Sequence, residues 1–273
     1  VRVTRGIIAF LRELLREPGT AGYALDDPAL TRLRVALVRR KGFLRRLYTE
    51  WYRILEESEG TLPAGARVEL GSGPGFLKEV IPGVITSDLM PAGNTDLVFS
   101  AGEMPFRAGS VAALYLVNVF HHLPQPCAFL REASRCLAPG GRIEMIEPYN
   151  TAWGRWVWRN LHHERFDPGA GWKLAGTGPL SDANGALPWI VFVRDHALFE
   201  RDYPALRIAE VRPFMPFGYL VSGGVSLRSL LPGRAFPLVR GLERLMGPLE
   251  RALGMFAVIR IRRVEDPVGP ARG

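Results

Sequence analysis

The chain has 273 residues, 47% of them apolar and 23% charged, enough for one large core with extensions and too apolar for wholesale disorder. Its formal charge of +8 permits contact with nucleic acid, anionic lipid or an acidic small molecule, and equally a merely solvated basic surface. No run reaches the ~18 apolar residues of a membrane-spanning helix, and no leader pattern is visible: the run Gly6-Ile7-Ile8-Ala9-Phe10-Leu11 is short and meets Arg12 and Glu13 at once.

Residues 1–60 read as a helical extension. Ile7, Ile8, Leu11, Leu14 and Leu15 form a helical stripe within residues 4–16. Pro18, Gly19 and Gly22 break it. Asp27-Pro28 then reads as an N-cap and first-turn proline, followed by Leu30, Leu33, Leu37, Leu44, Leu47, Trp51 and Leu55 at helical spacing, with a break expected at Gly42. Arg32, Arg34, Arg39, Arg40, Lys41, Arg45 and Arg46 lie in this stretch without an acidic residue between Pro28 and Thr49. Such a helix suits an anionic lipid surface, or simply presents a solvated face.

Beyond the linker at residues 61–65 the pattern changes. Short strands are predicted at residues 67–70, 84–88, 95–99, 111–119 and 142–147, with helices at 76–81 and 124–137. The apolar run from Val111 to Val119 suits a central strand buried on both faces. This alternation predicts a doubly wound α/β fold with a mostly parallel sheet, its ligand edge at the strand C-termini. Residues 61–150 form its core. Residues 151–273 are expected to supply a lid or substrate-binding insertion over about 149–184, late strands at 206–211 and 256–261, and a helix over 236–253.

The first strand runs into Glu69-Leu70-Gly71-Ser72-Gly73-Pro74-Gly75. Glycines here let the backbone pass close to a ligand, but such a turn also serves dinucleotides and phosphates. The context narrows it. Glu69 precedes the first glycine, and Asp88 closes the next strand, where a carboxylate can accept both hydroxyls of a ribose. Downstream stand Glu103-Met104-Pro105-Phe106, then Asn118-Val119-Phe120-His121-His122-Leu123, then the segment from Leu130 to Arg142 with its Pro139-Gly140-Gly141 turn. Together these resemble the class I S-adenosylmethionine-dependent methyltransferases, in particular their small-molecule (type 11-like) branch, whose sheet is a seven-stranded Rossmann-like one.

The resemblance implies roles residue by residue. Glu69 orients the glycine loop and approaches the amino group of S-adenosyl-L-methionine. Gly71, Ser72, Gly73 and Gly75 pass its methionine part. Asp88 and Leu89 meet the ribose, and Ser100, Ala101, Gly102 and Glu103 border the adenine. Asn118 and Phe120 lie near the reactive methyl. Ser100 is a departure, since many relatives carry Asp there, and the first helix after the turn is short. Both bear on cofactor affinity. Glu69 as a mere turn cap, Asp88 as an ordinary turn residue and Pro139-Gly140-Gly141 as a structural turn remain the bland readings.

The sulfonium is already a methyl donor, so a base is needed only for an acceptor that holds its proton. Candidate bases at the strand ends are His121, His122, Glu147 and Tyr149. The His pair also reads as loop-shaping. His162-His163-Glu164 forms no His-x-x-x-His zinc face, and no metal is expected. Trp153, Trp156, Trp158, Trp172 and Trp189 suit either an apolar acceptor pocket or core packing. The apolar segment from Phe214 to Val221 is read as closing that pocket or touching a membrane.

The function expected is methyl transfer to a small, apolar or lipid-like acceptor, on oxygen or carbon. Competing readings are a nicotinamide oxidoreductase, an RNA-modifying or nucleic-acid-binding protein of the same fold, and a non-catalytic member. Cys127 and Cys136 make no metal spacing, so a reducing cytoplasmic setting is expected, with peripheral membrane contact left open.

Overall fold

The computed structural model describes residues 6, 13–20, 22–23, 27–57, 61–91, 95–162, 164–174 and 182–264. The stripe at residues 4–16 lies largely outside them, and the tail after Val264 entirely so. Helix α1 (Pro28–Arg40) starts as the sequence dictates: Asp27 Oδ1 accepts the Ala29 N–H at 2.8 Å, with Pro28 in the first turn. Lys41, in extended conformation, separates it from α2 (Gly42–Glu56). That helix is amphipathic, burying Phe43, Leu44, Leu47, Tyr48, Trp51, Tyr52 and Leu55.

The sheet follows. Strand β1 (Ala66–Leu70) leads through the glycine turn to α3 (Leu77–Val80), a single turn, and then to β2 (Ile85–Asp88). A two-residue β3 (Leu97–Val98) and the buried β4 (Val111–Val117) come next. Helix α4 (Pro126–Cys136) runs directly into β5 (Leu137–Pro148), which holds Pro139-Gly140 where its register against β4 shifts. Gly140 takes φ +75°, the left-handed region that glycine enters freely.

The stretch after β5, expected as a lid or substrate-binding insertion, begins with a helix. Thr151 caps α5 (Ala152–Leu161), its hydroxyl oxygen accepting the Gly154 N–H at 2.9 Å. The helix was obscured because its buried face comprises only Gly154, Val157 and Trp158, too few to show a stripe. Further on come α6 (Leu187–Trp189), a wide turn (Ile190–Arg194), α7 (His196–Asp202) and β6 (Leu206–Phe214). After α8 (Gly218–Ser222), the helix expected over 236–253 is two helices, α9 (Phe236–Leu245) and α10 (Pro248–Leu253). Gly247, at φ +49°, breaks it just before Pro248. Strand β7 (Phe256–Arg263) ends the described chain.

The sheet order is β3-β2-β1-β4-β5-β7-β6. Neighbours from β3 to β5 are parallel, and β7 is antiparallel to both β5 and β6. Strand order therefore reverses between β1 and β4, which opens a crevice at their C-terminal ends. Period-two alternation splits the core. Ala113 and Tyr115 join Trp51, Tyr52 and Phe256 on one face, while Leu114 and Leu116 join Phe129, Leu130 and Phe192 on the other. Among the described residues no helix is long and apolar enough to cross a membrane.

Candidate active site

The crevice is a cavity of about 540 Å³, and the glycine turn forms one of its walls. Gly71 takes φ +62°, and a Cβ there would sit 2.6 Å from Val119 Cγ2. Only glycine lets β1 leave the sheet this close to β4. A Cβ on Gly75 would meet the Tyr52 hydroxyl at 2.6 Å. That hydroxyl accepts the Phe76 N–H at 3.2 Å, so α2 clamps the far end of the turn. Asp88 fastens its middle. Oδ2 accepts the Gly73 N–H at 2.9 Å and Oδ1 accepts the Met90 N–H at 3.1 Å. Ser72 N–H donates to the Ser87 carbonyl at 2.9 Å, tying the turn to β2.

Glu69 is buried beneath this turn. Burial pushes its carboxyl up to about 8, and its Oε2 has no hydrogen-bond partner. A buried acceptor without a donor is costly unless something supplies one. S-adenosylmethionine fits that requirement, since it brings an ammonium to an acid, a thin tail to a turn of glycines and a ribose to Asp88. Glu69, Gly71, Ser72, Gly73, Gly75, Asp88, Leu89, Ser100, Ala101 and Asn118 all line the cavity. Gly102, Glu103 and Phe120 are not on its wall. Gly102 N–H bonds the Ser100 hydroxyl at 3.2 Å and Glu103 N–H bonds the Ser100 carbonyl at 2.9 Å, so these two close a turn. Phe120 is fully buried against Phe129 and Phe192.

Beyond β4 the chain turns sharply. Asn118 takes φ +57°, a strained conformation that Asn tolerates better than most residues. Its N–H bonds the Ile146 carbonyl at 3.0 Å. Glu147, fully buried at the end of β5, holds the next turn: Oε1 accepts the Val119 and Phe120 N–H groups at 2.8 and 2.7 Å. Its Oε2 lies 2.6 Å from His121 Nδ1. The other ring nitrogen, Nε2, lies 3.3 Å from Glu164 Oε2. Burial alone would lower His121, but the carboxylates of Glu147 and Glu164 outweigh it and raise it to about 10. His122 stacks beside it with ring centres 4.2 Å apart. Burial, and then the charge on His121, push His122 down to about 3. Glu164 is held well below the usual carboxylate range: burial opposes this, but His162, His121 and His122 surround it.

Of the four candidate bases, His121 and His122 line the cavity, whereas Glu147 and Tyr149 do not. Sequence reasoning foresaw the opposite wall only in part, through Trp158 and the segment holding Tyr219, and missed Arg34, Tyr48 and Tyr52. Arg34, Tyr48, Tyr52, Trp158, His162, Glu164 and Tyr219 line it, brought in by α1, α2, α5 and α8. Arg34 had been read only as one of a basic run, yet its guanidinium makes no hydrogen bond or ion pair with the described residues. Trp158 stands on the cavity wall, while Trp51 packs inside against Tyr219 and Phe256. The segment from Phe214 to Val221 does not form an outward apolar patch, because Phe214, Met215, Pro216 and Gly218 are buried. His163 lies outside the described residues.

Residues 68–145 match a family model described as a methyltransferase domain. No curated protein matches the chain by sequence. Among solved structures, it is similar to geranyl diphosphate C-methyltransferase from Streptomyces coelicolor A3(2), with 18% identity over 92% of this chain and 90% of that one, at a TM-score of 0.49. A Haloferax volcanii methyltransferase in complex with the activator Trm112 gives 16% identity over 86% and 96%, also at 0.49. An S-adenosylmethionine-dependent methyltransferase from Mesorhizobium loti gives 14% over 79% and 98%, at 0.43. The family match falls on β1 to β5, the strands that carry the glycine turn, Asp88 and Asn118, and so residues 68–145 are the core of a class I S-adenosylmethionine-dependent methyltransferase domain.

Proposed function

We propose that the chain methylates an oxygen of a small acceptor with an apolar or aromatic body. The observation that carries this is the single cavity running from the glycine turn to a wall of Tyr48, Trp158 and Tyr219. When bound, the cofactor supplies an activated methyl group. The residues named above hold its ends, and the aromatic wall excludes water from the space facing Asn118. Of the histidines proposed as bases, His121 and His122, neither has the near-neutral pKa of a general base. An acceptor oxygen that arrives ionised needs none, and the Arg34 guanidinium, which makes no ion pair among the described residues, suits such an anion. Calorimetry with S-adenosylmethionine, followed by radiolabelled methyl transfer to phenols, carboxylic acids and RNA, tests the reading. Binding together with transfer to the small acids supports it. Absence of cofactor binding rejects it, and transfer to RNA alone replaces the acceptor class.

A specific surface also favours peripheral contact with anionic lipid. Leu238, Leu242, Leu245 and Leu249 are 67%, 56%, 84% and 58% exposed along α9 and α10. Leu238, Leu242 and Leu245 make one stripe on α9, Leu249 follows on α10, and the exposed Arg234, Arg244 and Arg251 lie in the same segment. Apolar side chains beside arginines match an anionic bilayer. Sedimentation with phosphatidylglycerol vesicles, but not with phosphatidylcholine vesicles, is expected, and it is lost in Leu242→Glu/Leu245→Glu. Equal sedimentation of that variant, or none by the native chain, rejects the contact.

A further inference from the structure

We propose that His121, His122 and Glu164 form a divalent metal site, of the zinc class, on the acceptor wall of the cavity. Two of these residues are adjacent in sequence and the third is more than forty positions away, on the connection after α5. The fold brings one donor atom from each to within 4.8 Å of the others. His121 Nε2 lies 3.3 Å from Glu164 Oε2, and His122 Nε2 lies 3.6 Å from Glu164 Oε1. A tetrahedral ion with ligand bonds near ~2.0–2.1 Å places neighbouring donors about 3.4 Å apart. The two histidine–carboxylate spacings therefore need little adjustment, and the remaining gap of at most 4.8 Å closes as the ion binds. Two imidazoles and one carboxylate are a donor set that zinc accepts while keeping a further position open.

The surroundings are those a metal site requires. Glu147 engages His121 Nδ1 at 2.6 Å, and that carboxylate is fixed in turn by two backbone N–H groups, so Nε2 is the free position and its proton leaves to solvent when the ion binds. A carboxylate behind a ligating histidine sets the tautomer and the ring orientation. On the other side, the Glu164 N–H bonds His162 Nδ1 at 3.3 Å. Asn184 holds the loop from below, its N–H donating to the His121 carbonyl at 3.0 Å and its side-chain oxygen accepting the Asp167 N–H at 2.9 Å. All three proposed ligands face the cavity, so the open position points to where the acceptor sits. An ionised acceptor oxygen would take it. This last step rests on the methyl-transfer reading, whereas the metal site itself does not.

The test uses the full chain, stripped with a chelator and titrated with Zn2+ by calorimetry and with Co2+ by visible absorption. One equivalent is expected to bind, with a Co2+ d–d band. His122→Ala and Glu164→Gln should each weaken it at least tenfold, while His196→Ala, a surface histidine beside Glu200, leaves it unchanged. Circular dichroism and S-adenosylmethionine titration on each variant separate metal loss from misfolding. Binding of the cofactor without any metal overturns this proposal and spares the function. Metal binding undiminished in both ligand variants overturns it as well.

Discussion

Glu147 lies behind His121 as a hidden partner: its Oε2 is 2.6 Å from the imidazole Nδ1, and His121 lines the cavity while Glu147 does not. Glu147→Gln keeps an oxygen for the Val119 and Phe120 N–H groups but presents an amide N–H to Nδ1. The ring must then carry its proton on Nε2, the atom aimed at Glu164. Zinc affinity is expected to fall about 10–100-fold, the usual loss for a partner behind a ligand, while S-adenosylmethionine binding persists. Unchanged zinc affinity in a folded Glu147→Gln would show that the pair merely braces the loop.

Gly71 faces Val119 across the crevice, and that contact sets a second prediction. Gly71→Ala adds a Cβ 2.6 Å from Val119 Cγ2 at a backbone φ of +62°. The left-handed backbone alone costs about 1–2 kcal/mol, with the overlap added to it. Cofactor affinity should fall at least tenfold. Gly71→Ala/Val119→Ala removes the overlap but not the backbone strain, so partial recovery of both stability and affinity is expected in paired titrations. No recovery would mean that the strain alone governs the turn.

Asp88 fastens the glycine turn and also lines the cavity, which allows its two uses to be separated. Asp88→Asn keeps an oxygen for Gly73 N–H, whereas Asp88→Ala loses it. Losing one such bond costs about 1 kcal/mol in stability. If the carboxylate also accepts the ribose hydroxyls, both variants lose cofactor affinity, and only Asp88→Ala loses thermal stability as well. Affinity retained in Asp88→Asn would remove the ribose role.

Glu69 gives the pH dependence. Its folded carboxyl is raised to about 8 from an ordinary 4.5. The folded chain without ligand thus binds a proton that the unfolded chain has released across that window. The stability from this group is complete below pH 4.5 and is lost as pH rises through about 8. A cationic ligand favours the ionised form, so binding expels the proton. Cofactor affinity should rise by up to about tenfold between pH 6 and pH 7, and Glu69→Gln should bind weakly with a flat profile. A flat profile in the native chain would place the ammonium elsewhere.

The sheet and the cofactor side were legible because their signals are local. A glycine turn, an acid at a strand end and an apolar run each occupy a few consecutive residues. The acceptor wall was not, because its residues are scattered over four helices whose packing no spacing rule encodes. Arg34 was counted as one charge among seven, and Tyr48 and Tyr52 fell between the residues of an apolar stripe. Glu164 was seen beside two histidines, but its meeting with His121 and His122 depends on how the connection after α5 folds back. The α9–α10 break was missed although Gly247-Pro248 stood in view, since the leucine spacing continues across it.

Arg240 ties the amphipathic helix α9 to this wall. It is 5% exposed and bonds both oxygens of Glu50 at 3.1 Å through Nε, with Glu243 and Glu250 alongside. Glu243 Oε1 in turn accepts the Phe217 and Gly218 N–H groups at 2.7 Å, fixing the start of α8 and with it Tyr219 on the cavity wall. Arg240→Met leaves Glu243 and Glu250 without their cation, Glu50 keeping Arg244 at 3.3 Å, and removing one partner of such a buried pair costs about 3–5 kcal/mol. Glu243→Gln keeps an oxygen for the two backbone N–H groups. Arg240→Met/Glu243→Gln should therefore be more stable than Arg240→Met alone, because one uncompensated charge is gone. Urea unfolding checks the order of the two variants. Equal stability would show that Glu50 and Glu250, rather than Glu243, carry the repulsion.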